Sequence, residues 1–225
     1  VTIKENIERL KARINEVAVK ADRNPDVITI VAVAKTVSTA KIQEAIANGI
    51  RIIGENRVQE ARQKYAIIGD KIDWHMVGHL QTNKVKEAVK IFRMIQSLDS
   101  LRLAEEIEKR ANAQIDCLIE VNTSKEASKF GLAPQEVFDF YDNIKKFKKV
   151  NVVGLMTIGP GWAIDDPEAS RPCFQMLHDL RDELAQECDR PLPVLSMGMT
   201  SDYEVAIEEG SNMVRIGTAI FGPRT

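Results

Sequence analysis

The chain has 225 residues, 44% of them apolar and 28% charged, with a formal net charge of -2. This is a soluble globular composition, long enough to bury roughly 70% of the unfolded surface without disulfide staples. The charges are interspersed, so nothing global favours nucleic acid or an anionic membrane. Three widely spaced cysteines, Cys117, Cys173 and Cys188, form no CxxC pair, which argues against a zinc knuckle or a disulfide framework. No apolar run reaches the ~18 residues of a bilayer span. The opening VTIKENIERLKARI is amphipathic, unlike a signal peptide, so a reducing cytoplasmic setting is expected.

Ile3, Ile7, Leu10, Ile14 and Val17 repeat every three or four residues and predict an N-terminal helix. Eight short apolar runs follow, at 27–35, 51–55, 72–78, 91–97, 115–121, 150–156, 193–197 and 212–217. The segments between them read mostly as helices. AKIQEAIANG ends on Gly49 as a C-terminal cap, and DSLRLAEEIEKRA starts on Asp99 or Ser100 as an N-cap. Pro134 suits a first helical turn, ahead of a buried stripe of Val137, Phe140, Tyr141 and Ile144. Cys173, Leu177, Leu180, Leu184 and Cys188 fall at helical spacing, which predicts that both cysteines lie on a buried face. Strand–helix alternation predicts a parallel α/β fold, a single-domain (β/α)8 barrel over residues 1–225, with an open doubly wound sheet as the competitor. TAIFGPRT is too short for an eighth helix, so the N-terminal helix is expected to cover that part of the wall.

In such a barrel the functional groups sit at the carboxyl ends of the strands. Lys35, Glu55, Asn56, Gly78, His79, Asn122, Met156, Ser196, Arg215 and Gly217 are placed there. Lys35 directly follows an apolar strand and shares a face with Val31 and Val33. It is either a surface lysine or a reactive amine whose burial would lower its pKa and make it a nucleophile towards aldehydes. The other lysines read as solvated surface charges. VLSMGMTSDYEVAIEEG and NMVRIGTAIFGP each lead from a strand into a loop of small and hydroxyl residues, a common place for a phosphate. Asp202 or Ser201 could instead cap a helix, Arg215 could be an ion pair in the barrel mouth, and Asn56 could be an N-cap. His75 reads as a satisfied core histidine, His79 as a loop residue beside the site, and His178 has no assigned role. No metal-ligand spacing and no Ser-His-Asp arrangement is present.

AVAKTV, IGENRVQEA, WHMVGHLQTNK, QSLDS, GLMTI, LSMGMTSDYEVAI and MVRIGTAIFG resemble the YggS/PROSC family, the pyridoxal phosphate homeostasis proteins. The resemblance runs from Val27 to Pro223. It implies a TIM barrel like the N-terminal domain of alanine racemase, the fold type III architecture of pyridoxal phosphate (PLP) proteins. It also implies PLP held as a Schiff base on Lys35. Ser196, Gly198, Met199, Thr200, Gly217 and Thr218 would cradle the phosphate, Arg215 would approach the ring nitrogen, and Asn56 would lie close by. Lys129, in SKFG, matches a loop lysine linked to cofactor handling. His79 stands where many members carry proline, and Thr200 where serine is commoner.

An arginine at the ring nitrogen cannot accept a proton and disfavours the protonated ring of an electron sink. No tyrosine from a second domain is expected, and Tyr65, Tyr141 and Tyr203 are expected to lie in or beside helices. The expectation is a non-catalytic protein that buffers or transfers PLP, with effects on amino-acid and keto-acid balance. PLP-dependent apo-enzymes are expected recipients, and a monomer or weak dimer is expected, since no exposed apolar stripe stands out. The competing readings are a weak amino-acid racemase, a Schiff-base aldolase without cofactor, and a pure interaction protein.

Overall fold

The computed structural model describes residues 1–223. Eight parallel strands close into a barrel in chain order: β1 (Thr29–Val33), β2 (Ile52–Glu55), β3 (Asp73–Met76), β4 (Met94–Leu98), β5 (Ile115–Glu120), β6 (Val150–Met156), β7 (Val194–Met199) and β8 (Met213–Ile216). β1 closes the ring by pairing with both β2 and β8. The open-sheet alternative is thereby excluded. Each strand falls within or close to one of the eight apolar runs, because strands covered on both faces read as near-continuous apolar segments.

The outer layer is α1 (Ile3–Lys20), α2 (Thr39–Ala47), α3 (Val58–Ile68), α4 (Val85–Ala88), α5 (Leu101–Arg110), α6 (Val137–Ile144), α7 (Arg171–Glu187), α8 (Tyr203–Glu208) and α9 (Thr218–Phe221). α1 starts in a capping box: Thr2 Oγ1 accepts the Glu5 N–H, and the Thr2 N–H donates to Glu5 Oε2. Its apolar stripe, including Ile7, Leu10, Ile14 and Val17, is buried. Each such side chain contributes roughly 1.5–3 kcal/mol relative to exposure. α1 packs on α2, α8 and α9. Asn6 Nδ2 donates to the Ile220 carbonyl, and Arg13 forms a two-pronged pair with Glu204. The single turn of α9 is therefore supplemented by α1, as expected.

Gly49 follows the end of α2 at φ +90 and lets the chain leave the helix. Ser100 occupies the N-cap of α5, as expected, with no side-chain cap bond among the described residues, and Asp99 pairs with His79. One helical expectation needs correction. In α7 the buried stripe is Phe174, Leu177, Leu180 and Leu184, while Cys173 and Cys188 are only half-buried at its edges. Phenylalanine one position along offers more apolar surface and takes the centre of the stripe. No helix among the described residues is long and apolar enough to cross a membrane.

Inside the barrel, Val31, Val77, Met94, Leu118, Met156 and Met213 form an apolar plug. Two residues further along β4, β7 and β8 from Met94, Val194 and Met213 the lining turns polar: Gln96, Ser196 and Arg215, all buried. This change marks the carboxyl end as the functional end.

Candidate functional site

Lys35 sits in the turn that follows β1. With Val33 it lines a cavity of about 300 Å³ between the β1–α2 and β8–α9 connections, together with Ser38, Lys41, Gly217 and Thr218. The lining carries two lysines and the hydroxyls of Thr36, Ser38 and Thr218, and no carboxylate among the described residues. That charge pattern suits an anion. At the start of α9, Thr218 and Ala219 have N–H groups with no helical carbonyl to bond. A Cβ built on Gly217 would meet the Val33 carbonyl oxygen at 3.4 Å and Val33 Cβ at 3.9 Å, ordinary contacts. Its backbone angles, φ -110 and ψ -79, do not require glycine either. The protein itself thus leaves room at this position.

Arg215 is 4% exposed. Its Nη1 donates to the Ser196 carbonyl at 2.9 Å and to Ser196 Oγ at 2.8 Å, and its Nη2 to the Thr157 carbonyl at 2.7 Å. Among the described residues it makes no ion pair within contact distance, so the ion-pair reading is replaced by carbonyl anchoring. Burial pulls its pKa down to about 10, opposed by the nearby charges of Asp202 and Glu120, and the group stays charged at neutral pH. Ser196 Oγ in turn donates to Gln96 Oε1 at 2.7 Å, and Gln96 Nε2 lies 3.0 Å from His75 Nδ1. His75 is a core histidine, as expected, and burial pushes it down to about 4.

The structure gives two expected phosphate ligands other partners. The Ser196 hydroxyl is buried between Gln96 and Arg215, and the Met199 N–H donates to Asp202 Oδ1 at 2.7 Å. Ser196 therefore supports Arg215 from below, and Met199 is tied to its own loop. Asp202 holds the N-cap position of α8, yet its carboxylate turns back to Met199 and accepts from Ser170 Oγ. Gly198 stands at φ +94, where a Cβ would come within 2.5 Å of Ala206 Cβ, so glycine is required for packing on α8. Thr200 lies half-buried in the turn after β7. Ser196, Gly198, Met199 and Thr200 do not line the Lys35 cavity, whereas Gly217 and Thr218 do.

Asn56 is not a helix cap, since Arg57 takes that position in α3. Its Oδ1 is buried with no hydrogen-bond partner among the described residues. Such an acceptor is costly unless a ligand or water satisfies it. Asn56 lines a second cavity of about 630 Å³ with Gly78 and His79. The His79 ring bonds Asp99 at 3.1 Å and stacks on Phe130, with centroids 3.9 Å apart. Lys129 ties two mouth loops together, donating to the Gly159 carbonyl at 2.6 Å and pairing with Glu126 at 2.7 Å. Phe130, Trp162 and Ile164 are exposed large hydrophobics on those loops. Helical periodicity could not reveal them.

Sequence reasoning missed Lys64, Glu55 as its partner, and Glu120. Lys64 is 8% exposed and bonds Glu55 Oε1 at 2.7 Å, which corrects its reading as a surface lysine. The signal was present: Val58, Ala61, Lys64 and Ile68 are the buried stripe of α3, and a lysine on that stripe needs a buried partner.

Glu120 is 5% exposed and lines a small cavity with Asn122, Lys129 and Phe130. Burial, then the Asp99 carboxylate, push it up to about 7, while Arg215 pulls it down. A carboxyl raised in the folded state contributes stability that is full below the unfolded value of 4.5 and is lost as pH rises through about 7. His75 acts oppositely, since a lowered folded pKa loses stability as pH falls from 6.5 towards 4. The difference between wild type and Glu120→Gln isolates the carboxyl. Between pH 5 and pH 8 the variant should gain about 2–3 kcal/mol relative to wild type. Parallel denaturant-unfolding curves at the two pH values would contradict this assignment.

The family model described as alanine racemase, N-terminal domain, matches residues 3–225. A pyridoxal phosphate homeostasis protein of Aquifex aeolicus is 43% identical over 224 residues, covering 98% of this chain and 97% of the relative. The chain belongs to the pyridoxal phosphate homeostasis protein family. The PipY structure of Synechococcus elongatus, solved with PLP bound, resembles it at TM-score 0.86 and 31% identity, covering 98% of this chain and 100% of PipY. Clostridium difficile alanine racemase shares the fold at TM-score 0.77 and 14% identity, and the match covers 99% of this chain and 57% of the racemase. Family membership confirms the resemblance drawn from the motifs, and the closed barrel confirms the fold it implied.

Proposed function

We propose that this chain binds pyridoxal 5′-phosphate on Lys35 and buffers or transfers it in the cytoplasm without catalysing a reaction of its own. The observation that carries the reading is the cavity that joins Lys35 to Gly217 and Thr218, lined by ammonium and hydroxyl groups with room left at Gly217. The names of the relatives and the PLP bound to PipY support it.

The residues fit the group. Lys35 would supply the amine, Gly217 and Thr218 would take the phosphate, and the orphaned Asn56 acceptor and the buried Arg215 would face the ring region. When bound, PLP supplies an aldehyde that bonds amines reversibly and a ring that can accept electrons. Arg215 holds its protons at neutral pH and offers no acceptor, so this chain does not favour a protonated ring. Tyr65 packs edge-on against Trp74, Tyr141 is buried in α6, and Tyr203 bonds Glu204. None of the three lines the Lys35 cavity. A second proton-transfer group of racemase type is thus absent from that cavity among the described residues. PLP-dependent apo-enzymes are the proposed recipients, and the transferring species is a monomer or weak dimer.

Gly217→Ala tests the cradle. The variant is expected to fold with wild-type stability, within about 0.5 kcal/mol, and to bind PLP at least roughly tenfold more weakly, because a methyl enters the phosphate position. Wild-type affinity by equilibrium titration would remove Gly217 from the cradle. Loaded wild-type protein is expected to restore activity to a PLP-dependent apo-enzyme and to leave L-alanine unracemised. Racemisation at enzyme-like rates would favour the racemase reading instead.

A further inference from the structure

Both peptide groups flanking Lys35 are held by side chains of one helix. The Ala34 carbonyl accepts from Lys64 Nζ at 2.7 Å, and the Thr36 N–H donates to Glu60 Oε2 at 3.2 Å. Lys64 lies 3.8 Å from Glu60 and is anchored by Glu55. Thr36 itself stands at φ +63. A β-branched residue in the left-handed region is an outlier that persists only where its surroundings over-determine it. Here the turn swings the chain away directly after Lys35, and α3 supplies the groups that hold it.

We propose that Lys64 and Glu60 are positioning residues that fix the direction in which Lys35 presents its amine, with Glu55 anchoring Lys64. This rests on the reading of Lys35 as the cofactor-bonding group. A contact that merely fastened α3 to the barrel would need no bond to the backbone beside Lys35, yet Lys64 bonds one side of it and Glu60 the other. The Glu55 carboxyl is raised by burial, with its Oε2 unpartnered, so the pair is retained against a desolvation cost. An amine displaced by about an ångström loses reaction rate while the rest of the cavity still binds.

The test separates bonding from binding. Pyridoxine 5′-phosphate carries an alcohol in place of the aldehyde, so it reports the cavity alone. Two variants are compared with wild type: Glu60→Ala, which removes the acceptor of the Thr36 N–H, and Glu55→Gln with Lys64→Met, which removes the buried pair without leaving a lone charge. Each is expected to bind pyridoxine 5′-phosphate within about twofold of wild type and to bond added PLP roughly tenfold or more slowly. Wild-type bonding rates, or parallel weakening of both ligands, would overturn the proposal. If the double variant does not fold, Glu60→Ala decides alone, because the Glu60 side chain lies nearer the surface. A Lys35→Ala protein that still bonded PLP would defeat the underlying reading instead, and the two failures are therefore distinct.

Discussion

Lys35→Ala is expected to abolish the visible absorbance of protein-bound PLP while the circular dichroism spectrum and unfolding midpoint stay near wild type. Lys35 follows β1 instead of lying in the barrel packing, and it is only half-buried. The apolar plug does not include it. Truncating such a residue changes stability by about 0.5 kcal/mol or less. Covalent capture needs the amine itself, so the loss of signal should be complete instead of graded. An unfolded variant would show that Lys35 is a structural residue. An unchanged absorbance would place the bond on another lysine.

Arg215→Leu should have the largest effect on stability. The substitution removes donors to two buried carbonyls and a buried hydroxyl at once. Each unsatisfied group costs about 1–3 kcal/mol, and loss of a buried cation that offsets nearby carboxylates raises the total to about 3–5 kcal/mol. Those carboxylates are Asp202 and Glu120. The midpoint of denaturant unfolding should fall accordingly, without a change in slope. Glu120 should also titrate above its wild-type value, because the group that pulls it down is gone. Ser196→Ala should be milder, since it leaves the Ser196 carbonyl and Thr157 bonds to Arg215 in place. A loss below about 1 kcal/mol in Arg215→Leu would mean that water replaces the guanidinium at those carbonyls.

The barrel was legible because buried strands write themselves as short apolar runs and α1 as a period of three to four. Lys35 drew attention for the same reason, since an ammonium directly after such a run stands out, and its role remains the proposal made above. The division of labour in the β7 loop was not legible. Small and hydroxyl residues suit a phosphate cradle and equally suit tight packing, and Gly198 serves the packing against α8. Ser196 illustrates the same ambiguity: position put it at the mouth, but only the fold shows its hydroxyl committed to Gln96 and Arg215. Asn56 went the other way, losing the cap role to Arg57 and keeping an unsatisfied acceptor. Lys64 was readable from helix periodicity, but its contact with the Ala34 carbonyl spans 30 residues and depends on how α3 packs beside β1. The Glu120 value depends on Asp99 and Arg215, which come from other strand ends and meet only in the closed barrel.

On the proposed reading a single lysine, Lys35, carries the cofactor. Borohydride reduction of the PLP-loaded protein, followed by peptide mapping, tests it most directly. A stable phosphopyridoxyl label is expected on the peptide containing Lys35, with no other lysine labelled stoichiometrically. A principal label on Lys41 or Lys129, or no label in a loaded protein, would contradict it.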